Sequence, residues 1–415
     1  MLAFVLSTAF ASSFTAQVPP APQPIVVIGQ RINDARARLA ACLARNCPPD
    51  EDIDATLALA ETQIIAGKYR DARTTLLKSL GRNHDEAKRY PIPVSDLYRS
   101  NGKVAAHLGL DDDYYRSTWG IYRALKEGIP DKTSLHFSAQ MEIAEMVYRT
   151  RGHERARLYY AAIADEARKA GRRDIAALAE LRSVVRHLPP DMRESRIRKI
   201  AASTDPDTRA ARLETTLALA RMAYEKDDVR AADSILREFA KFDIKRPILI
   251  YAPPYEMVER DRSSHNQIGT NFSTPNPDDL AAQAEAMETA VGGRQSNSRG
   301  FGAGQFSTMN RMAGNFDDMW LDVQFTITPA GTVSDLKVAR SDGDIFWAKP
   351  LLASIKGRRY TPARADSVGS RRLERYTYTS GYDGYSGTRV ADRTPQGRVE
   401  FIDLSDTGGL STPTE

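Results

Sequence analysis

Trp320-Leu-Asp-Val-Gln-Phe-Thr-Ile327, continued by Thr-Pro-Ala-Gly331-Thr-Val333, decides the C-terminal fold. Its side chains alternate strictly: Leu321, Val323, Phe325 and Ile327 share one face, and Asp322, Gln324 and Thr326 share the other. That period of two predicts a half-buried strand. Pro329-Ala330-Gly331 makes the turn, with Gly331 free to take positive φ. The chain then returns as a second strand over 333–339. Residues 344–356 read as a helix with Ile345, Ala348, Leu351, Leu352 and Ile355 on one stripe. Pro350 has no N–H to donate, so it must sit in the first turn of that helix. Arg359-Tyr360-Thr361-Pro362 reads as a short extended segment and 373–379 as the last strand, giving the order β-β-α-β.

This order, with Phe325 to Val333, the amphipathic helix and Arg359-Tyr360-Thr361-Pro362, resembles the C-terminal domain of the TonB family over about residues 316–380. The resemblance implies partner binding, because in that family the final strand captures an extended receptor segment. On this expectation Leu373, Glu374, Arg375, Tyr376, Thr377 and Tyr378 are the partner-binding residues. They would act by strand addition, in which a sheet edge offers its unpaired N–H and C=O groups to a peptide. Glu374, Tyr376 and Tyr378 fall on one face of this strand and Leu373, Arg375 and Thr377 on the other, and the sequence does not choose the core face. Seven basic residues (Lys356, Arg358, Arg359, Arg364, Arg371, Arg372 and Arg375) surround it against the two acids Asp366 and Glu374. They predict either a positive rim favouring acidic partner segments or a solvated surface that keeps the edge from self-pairing.

Upstream, residues 30–245 are nearly free of strand signals, and apolar residues recur at three and four. Asp54-Ala-Thr-Leu-Ala-Leu-Ala60 aligns with Glu214-Thr-Thr-Leu-Ala-Leu-Ala220. In the same register Gly67-Lys68-Tyr69 meets Asp227-Asp228-Val229, Ala72 meets Ala232 and Leu76 meets Leu236. A weaker copy runs through Ile143, Ala144, Val147, Gly152, Ala156, Tyr160 and Ile163. The pattern resembles the tetratricopeptide repeat, which implies a stack of helical hairpins with an extended surface for protein or peptide. A compact helical spacer is the other reading. The fold class expected is therefore multidomain, an all-α helical-hairpin solenoid followed by a small α+β (β-β-α-β) TonB-like domain.

The remaining segments follow from composition. Residues 1–16 are apolar and uncharged, with Ala9-Phe10-Ala11 as a small-residue cleavage pattern, and read as a signal peptide. Residues 17–29 are an N-terminal arm; its run Ile25-Val-Val-Ile28 is similar to the TonB box that TonB domains capture, with simple docking of the arm as the favoured reading. Residues 246–315 are a junction and Gly-rich linker, with a strand at 247–254, a short helix at 278–291 and a flexible stretch at 292–314. Residues 381–415 form an acidic tail in which 398–404 could be a strand covering the sheet edge. In an oxidising compartment Cys42 and Cys47 are expected to form a disulfide. On a continuous helix they would point about 140° apart, so the helix must stop near Arg45 or Asn46, as Pro48 and Pro49 demand.

Composition narrows the function. The 415 residues carry a formal net charge of +4, with no basic stripe interleaved with aromatics, so no nucleic-acid partner is expected. The six histidines are scattered without a zinc spacing, and no Gly-x-Ser-x-Gly elbow occurs. Asp111-Asp112-Asp113 lacks the spacing of a calcium loop and reads as a helix-starting acidic turn. No enzyme activity, cofactor or metal is expected. The expectation is a periplasmic interaction protein binding an extended peptide of an envelope or outer-membrane receptor partner, with a role in TonB-dependent transport. The alternative is a structural envelope scaffold in which the TonB-like fold is a packing module. Membrane association would come through partners or an uncleaved leader, and a homodimer is left open.

Overall fold

The computed structural model describes residues 26–130, 133–187, 190–202, 209–239, 246–257, 272–273, 319–343, 345, 347–362, 369–384 and 391–405. Among these residues eleven α-helices come first: α1 (Val26–Ala44), α2 (Pro49–Ile65), α3 (Tyr69–Asn83), α4 (Pro91–His107), α5 (Asp111–Gly128), α6 (Ser134–Arg151), α7 (His153–Lys169), α8 (Arg173–His187), α9 (Pro190–Ala201), α10 (Arg209–Glu225) and α11 (Val229–Phe239). Each packs against the next, and α2 also touches α4 and α8 touches α10, so the helices form a progressing stack. The described residues are mostly helical, with a small sheet region toward the C-terminal end. Val26, Val27 and Ile28 lie in the first turn of α1, so most of the Ile25–Ile28 run is helical rather than an extended arm. The expected helix at 278–291 and the linker at 292–314 lie outside the described residues.

One local device ends several of these helices. Lys68, Leu110, Arg172 and Asp228 each donate their N–H to the carbonyl five residues back, on Gln63, Ala105, Ala167 and Ala223. The residue before each donor is left-handed: Gly67 (φ 77), Gly109 (φ 71), Gly171 (φ 74) and Asp227 (φ 58). This is the Schellman ending, which satisfies orphan carbonyls and turns the chain for the next helix. The repeat alignment placed Asp227 opposite Gly67, and both take the same backbone conformation.

The α1 end repeats the device with a covalent addition. Asn46 is left-handed (φ 51), Cys47 N–H donates to Cys42 O at 3.1 Å and Asn46 N–H to Leu43 O at 3.1 Å. Cys42 and Cys47 are disulfide-bonded with Cα atoms 5.2 Å apart. The bridge thus occupies the position where a Schellman turn ordinarily places a hydrophobic contact. The closed loop is short, so its contribution is about 2 kcal/mol or less on chain-entropy grounds. Intact-mass analysis with thiol labelling should show no label before reduction and two after it; two freely labelled thiols in the native protein would sink the assignment.

The C-terminal sheet contains β4 (Met319–Ile327), β5 (Val333–Asp342), β7 (Ser370–Gly384) and β8 (Ala391–Asp403), antiparallel in the order β5-β4-β7-β8. A helix, α12 (Ala348–Gly357), covers one face. It starts just before Pro350, as the missing N–H requires. Leu321, Val323, Phe325, Ile327, Leu351, Ile355, Tyr376 and Tyr378 pack there with Trp347. Ile345, read as part of the helix stripe, precedes the helix and is exposed, and Trp347 takes the buried place. Outside this sheet, β1 (Leu249–Tyr251) pairs with β6 (Arg359–Tyr360), and β2 (Glu256–Met257) pairs with β3 (Phe272–Ser273). Ile250 of β1 packs with Ala220 and Leu236, and Arg221 donates to its carbonyl at 2.8 Å, which ties α10 and α11 to the C-terminal module.

The expectation of a half-buried β4 is corrected. Trp320 and Asp322, on the side read as solvent-facing, are 6% and 0% exposed. The reason is a second layer: Trp320 packs among Ile53, Ala60, Tyr69, Ala72 and Leu76 of the helical stack. The sheet lies between α12 and the helices.

Candidate functional site

Strand β7 carries all six residues expected to bind a partner, and it is not a free edge. On one side Met319 to Ile327 of β4 pair with Tyr378 to Ser370. On the other, β8 pairs Asp403 with Glu374, Ile402 with Arg375, Phe401 with Tyr376, Glu400 with Thr377 and Val399 with Tyr378, and Leu404 N–H donates to Leu373 O at 2.8 Å. The tail strand read at 398–404 therefore exists, is longer than expected, and covers that edge. Both faces of β7 are covered as well: Leu373, Glu374, Arg375, Tyr376, Thr377 and Tyr378 are all buried.

On the helical face, Arg375 and Asp322 form an ion pair at 2.6 Å with both side chains 0% exposed. Arg375 also donates to Ile64 O and, at 2.8 Å, to Ile65 O. Those are the last carbonyls of α2, so the sheet supplies the cation that the negative end of that helix favours. The Trp320 ring lies 3.8 Å from the guanidinium. Arg340 closes the other side of Asp322 at 2.8 Å. One turn along, Thr377 Oγ1 meets Tyr69 Oη at 2.9 Å and His107 Nδ1 at 2.8 Å, and the Tyr69 and His107 rings stack with centroids 5.1 Å apart. Farther out, Arg398 donates to Asp111 at 2.6 and 2.9 Å and to Glu400 at 2.8 Å, and Arg149 pairs with Glu400.

On the α12 face a second buried cluster forms around Arg358. Its guanidinium donates to Glu374 at 2.7 Å, Tyr376 Oη at 2.7 Å and Tyr360 Oη at 3.3 Å, and Tyr376 Oη donates to Glu374. Burial disfavours the Arg358 charge, but the Tyr376, Glu374 and Tyr360 oxygens outweigh it and raise its pKa. Burial and the neighbouring Glu374 push the Tyr376 phenol well above its ordinary value. The positive rim is corrected for three of its seven residues, while Lys356 and Arg371 stay exposed. Arg358 and Arg375 are buried and paired, and Arg372 is engaged by Asp403 at 2.9 Å and Pro247 O at 3.1 Å. Arg364 lies outside the described residues. These cations are used inside the molecule, where a sequence count cannot assign them partners.

An open concavity lies elsewhere among the described residues. A cavity of about 610 Å³ is bounded by α4, α5, α6 and α8. Its apolar floor includes Ile121, Phe137, Met141, Ile175 and Leu178. Ion pairs between helices run along it, Arg99 with Glu142 at 3.0 Å and Arg182 with Glu145 at 3.4 Å. Sequence reading anticipated a surface of this kind from the hairpin pattern, but not its lining, which four separate helices contribute. Among the described residues the grouping with metal-ligand character is Cys42, Cys47 and Glu51, whose sulfurs are bonded to each other.

No protein-family model matches the chain, and no curated protein matches it. Solved structures with some likeness include BtubC (BKLC) from P. vanneervenii, 14% identical over 66% of this chain and 96% of that one, with a TM-score of 0.37. Another is NprR in complex with its cognate peptide NprX, 12% identical over 51% of this chain and 62% of that one, with a TM-score of 0.32. Likenesses this loose carry no functional argument.

Proposed function

We propose that this chain is an exported, non-enzymatic interaction protein whose partner platform is the helical groove, and whose TonB-like module is a packing unit braced against the helices. The observation that carries this reading is the pairing of β7 on both sides. The strand that would capture a peptide in the resembling family is already filled by β8. A tethered strand acts at an effective concentration in the mM range, while a few net backbone hydrogen bonds give a free peptide only roughly micromolar affinity. Exchange by a passing segment is therefore uphill. The apolar leader and the Cys42–Cys47 bond support export to an oxidising compartment such as the periplasm.

The test is a photo-crosslinking amino acid placed at exposed Ser138 in the groove, or at Val338 on the outer strand β5, in the native envelope. A defined adduct from Ser138 that disappears with Met141→Arg is expected. Adducts from Val338 alone would sink the groove reading.

A second reading, capture of an outer-membrane receptor segment by strand exchange, is favoured by the β7–β8 ladder itself, because that edge accepts an antiparallel strand. A synthetic copy of residues 391–405, added in excess to the full chain, distinguishes the two. Under the packing reading, amide protection of β8 is unchanged. Under the exchange reading, β8 amides lose protection and the peptide binds.

A further inference from the structure

His107 ends α4 at the junction between helices and sheet, 4% exposed. Its ring is held by Thr377 of β7 through Nδ1 and by a backbone hydrogen bond with Phe401 of β8, and is stacked on Tyr69 of α3. The charges that act on it most strongly are positive. Arg375 from β7, Arg149 from α6 and Arg398 from β8 all act on it with positive charge. The acids nearby are engaged: Asp322 of β4 by Arg375, Glu400 of β8 by Arg149 and Arg398, and Asp111 of α5 by Arg398. Each of these carboxylates already has a guanidinium partner.

We infer that His107 is a proton-sensitive latch: protonating it releases the β7–β8 side of the sheet from α3–α6 and frees β8 to leave the β7 edge. This deepens the strand-exchange reading by supplying the step that opens the edge, and it rests on that reading only for its purpose.

The sign follows from linkage. Burial, then Arg375, Arg149 and Arg398, hold the docked imidazole down at about 3 against an ordinary 6.5, while the Phe401 backbone pulls weakly the other way. The C-terminal end of α4 also favours a cation and is likewise outweighed. Undocked, the ring takes a proton near its ordinary value. The undocked state thus binds more protons below about pH 6.5, so docking is complete above that pH and weakens as pH falls toward about 3. The docking equilibrium shifts by up to about tenfold per pH unit in this window, or roughly thirtyfold at pH 5.

Hydrogen–deuterium exchange on the full chain, corrected for intrinsic rates, reads this directly. Amides of 373–379 and 398–404 are expected to lose about thirtyfold protection between pH 7 and pH 5. The α7–α8 pair, which contributes none of the groups named at this junction, should stay unchanged. In His107→Gln, which stays neutral, the pH dependence should vanish. Thr377→Val keeps a titratable ring without its hydroxyl partner, so it should lower protection at every pH while retaining the dependence. A wild-type chain whose β8 protection is flat from pH 7 to pH 5 would overturn the latch. So would an undiminished pH dependence in His107→Gln. Peptide binding is measured separately, so failure of strand exchange leaves the latch standing or falling on protection alone.

Discussion

Asp322→Ala is expected to destabilise the protein by about 3–5 kcal/mol, because it strips the carboxylate from a guanidinium that cannot reach water. Both partners are fully buried, and Arg375 would keep the Ile64 and Ile65 carbonyls, the Tyr69 hydroxyl and the Trp320 ring. Arg340, which also closes on Asp322, would lose its acceptor too. Arg375→Ala should cost less at the carboxylate, because Asp322 keeps Arg340. This replaces the expectation from sequence that Arg375 belongs to a positive rim facing a partner. The pair sits between layers, so the loss should appear as uncoupling. In urea, near-UV signals from the sheet and far-UV helical signals, coincident in the wild type, should separate in Asp322→Ala. The double variant Asp322→Leu/Arg375→Met is expected to recover part of the loss, since apolar replacement of a buried pair is often neutral. Recovery should be incomplete, because Ile65 O would lose the Arg375 donor (about 1–3 kcal/mol). A single variant within about 0.5 kcal/mol of wild type would show that the pair does not hold the layers together.

The same residues mark where reading the chain succeeded and where it could not. Strand β4 was legible because alternation is a property of eight neighbouring residues. The fate of its polar face was not, because the group that neutralises Asp322 comes 53 positions later and the tryptophan beside it packs on helices over 240 positions earlier. Helix endings were legible in part. Gly67 advertises a left-handed turn, and the repeat register carried the inference to Asp227, where composition alone would not. Strand β8 was seen only over 398–404, because Pro395 and Gly397 interrupt the pattern that its first half would otherwise show. Whether 373–378 is an edge is a question of pairing, and no local pattern encodes how many partners a strand has. The buried arginines were counted correctly and placed wrongly for the same reason: guanidiniums look alike in sequence whether they meet solvent, a carboxylate or the end of a helix.

Gly67→Ala should be far more damaging than Gly171→Ala, and the difference isolates the cost of separating sheet from helices. Both glycines hold the left-handed position of a Schellman turn, at φ 77 and φ 74. Each substitution therefore carries the same backbone penalty, about 1–2 kcal/mol for an L side chain in that region. Their surroundings differ. A Cβ on Gly171 meets nothing within 4 Å, whereas one on Gly67 would lie 2.4 Å from Trp320 Nε1 and 2.6 Å from Cε2. The indole cannot simply swing away. It is buried in the helical core with Tyr69 and Leu76 on one side and the Arg375 guanidinium against its ring on the other. Relief must come from moving the sheet, at about 1–3 kcal/mol for overpacking of this kind. Thermal unfolding should give Gly171→Ala a small loss and Gly67→Ala roughly twice that or more. Pairing Gly67→Ala with Trp320→Ala should remove the excess, because the clash then has no partner, although Trp320→Ala alone costs about 3–5 kcal/mol from its lost burial. Equal losses at the two glycines would mean that Trp320 does not stand against the α2–α3 turn, and that the sheet does not dock there.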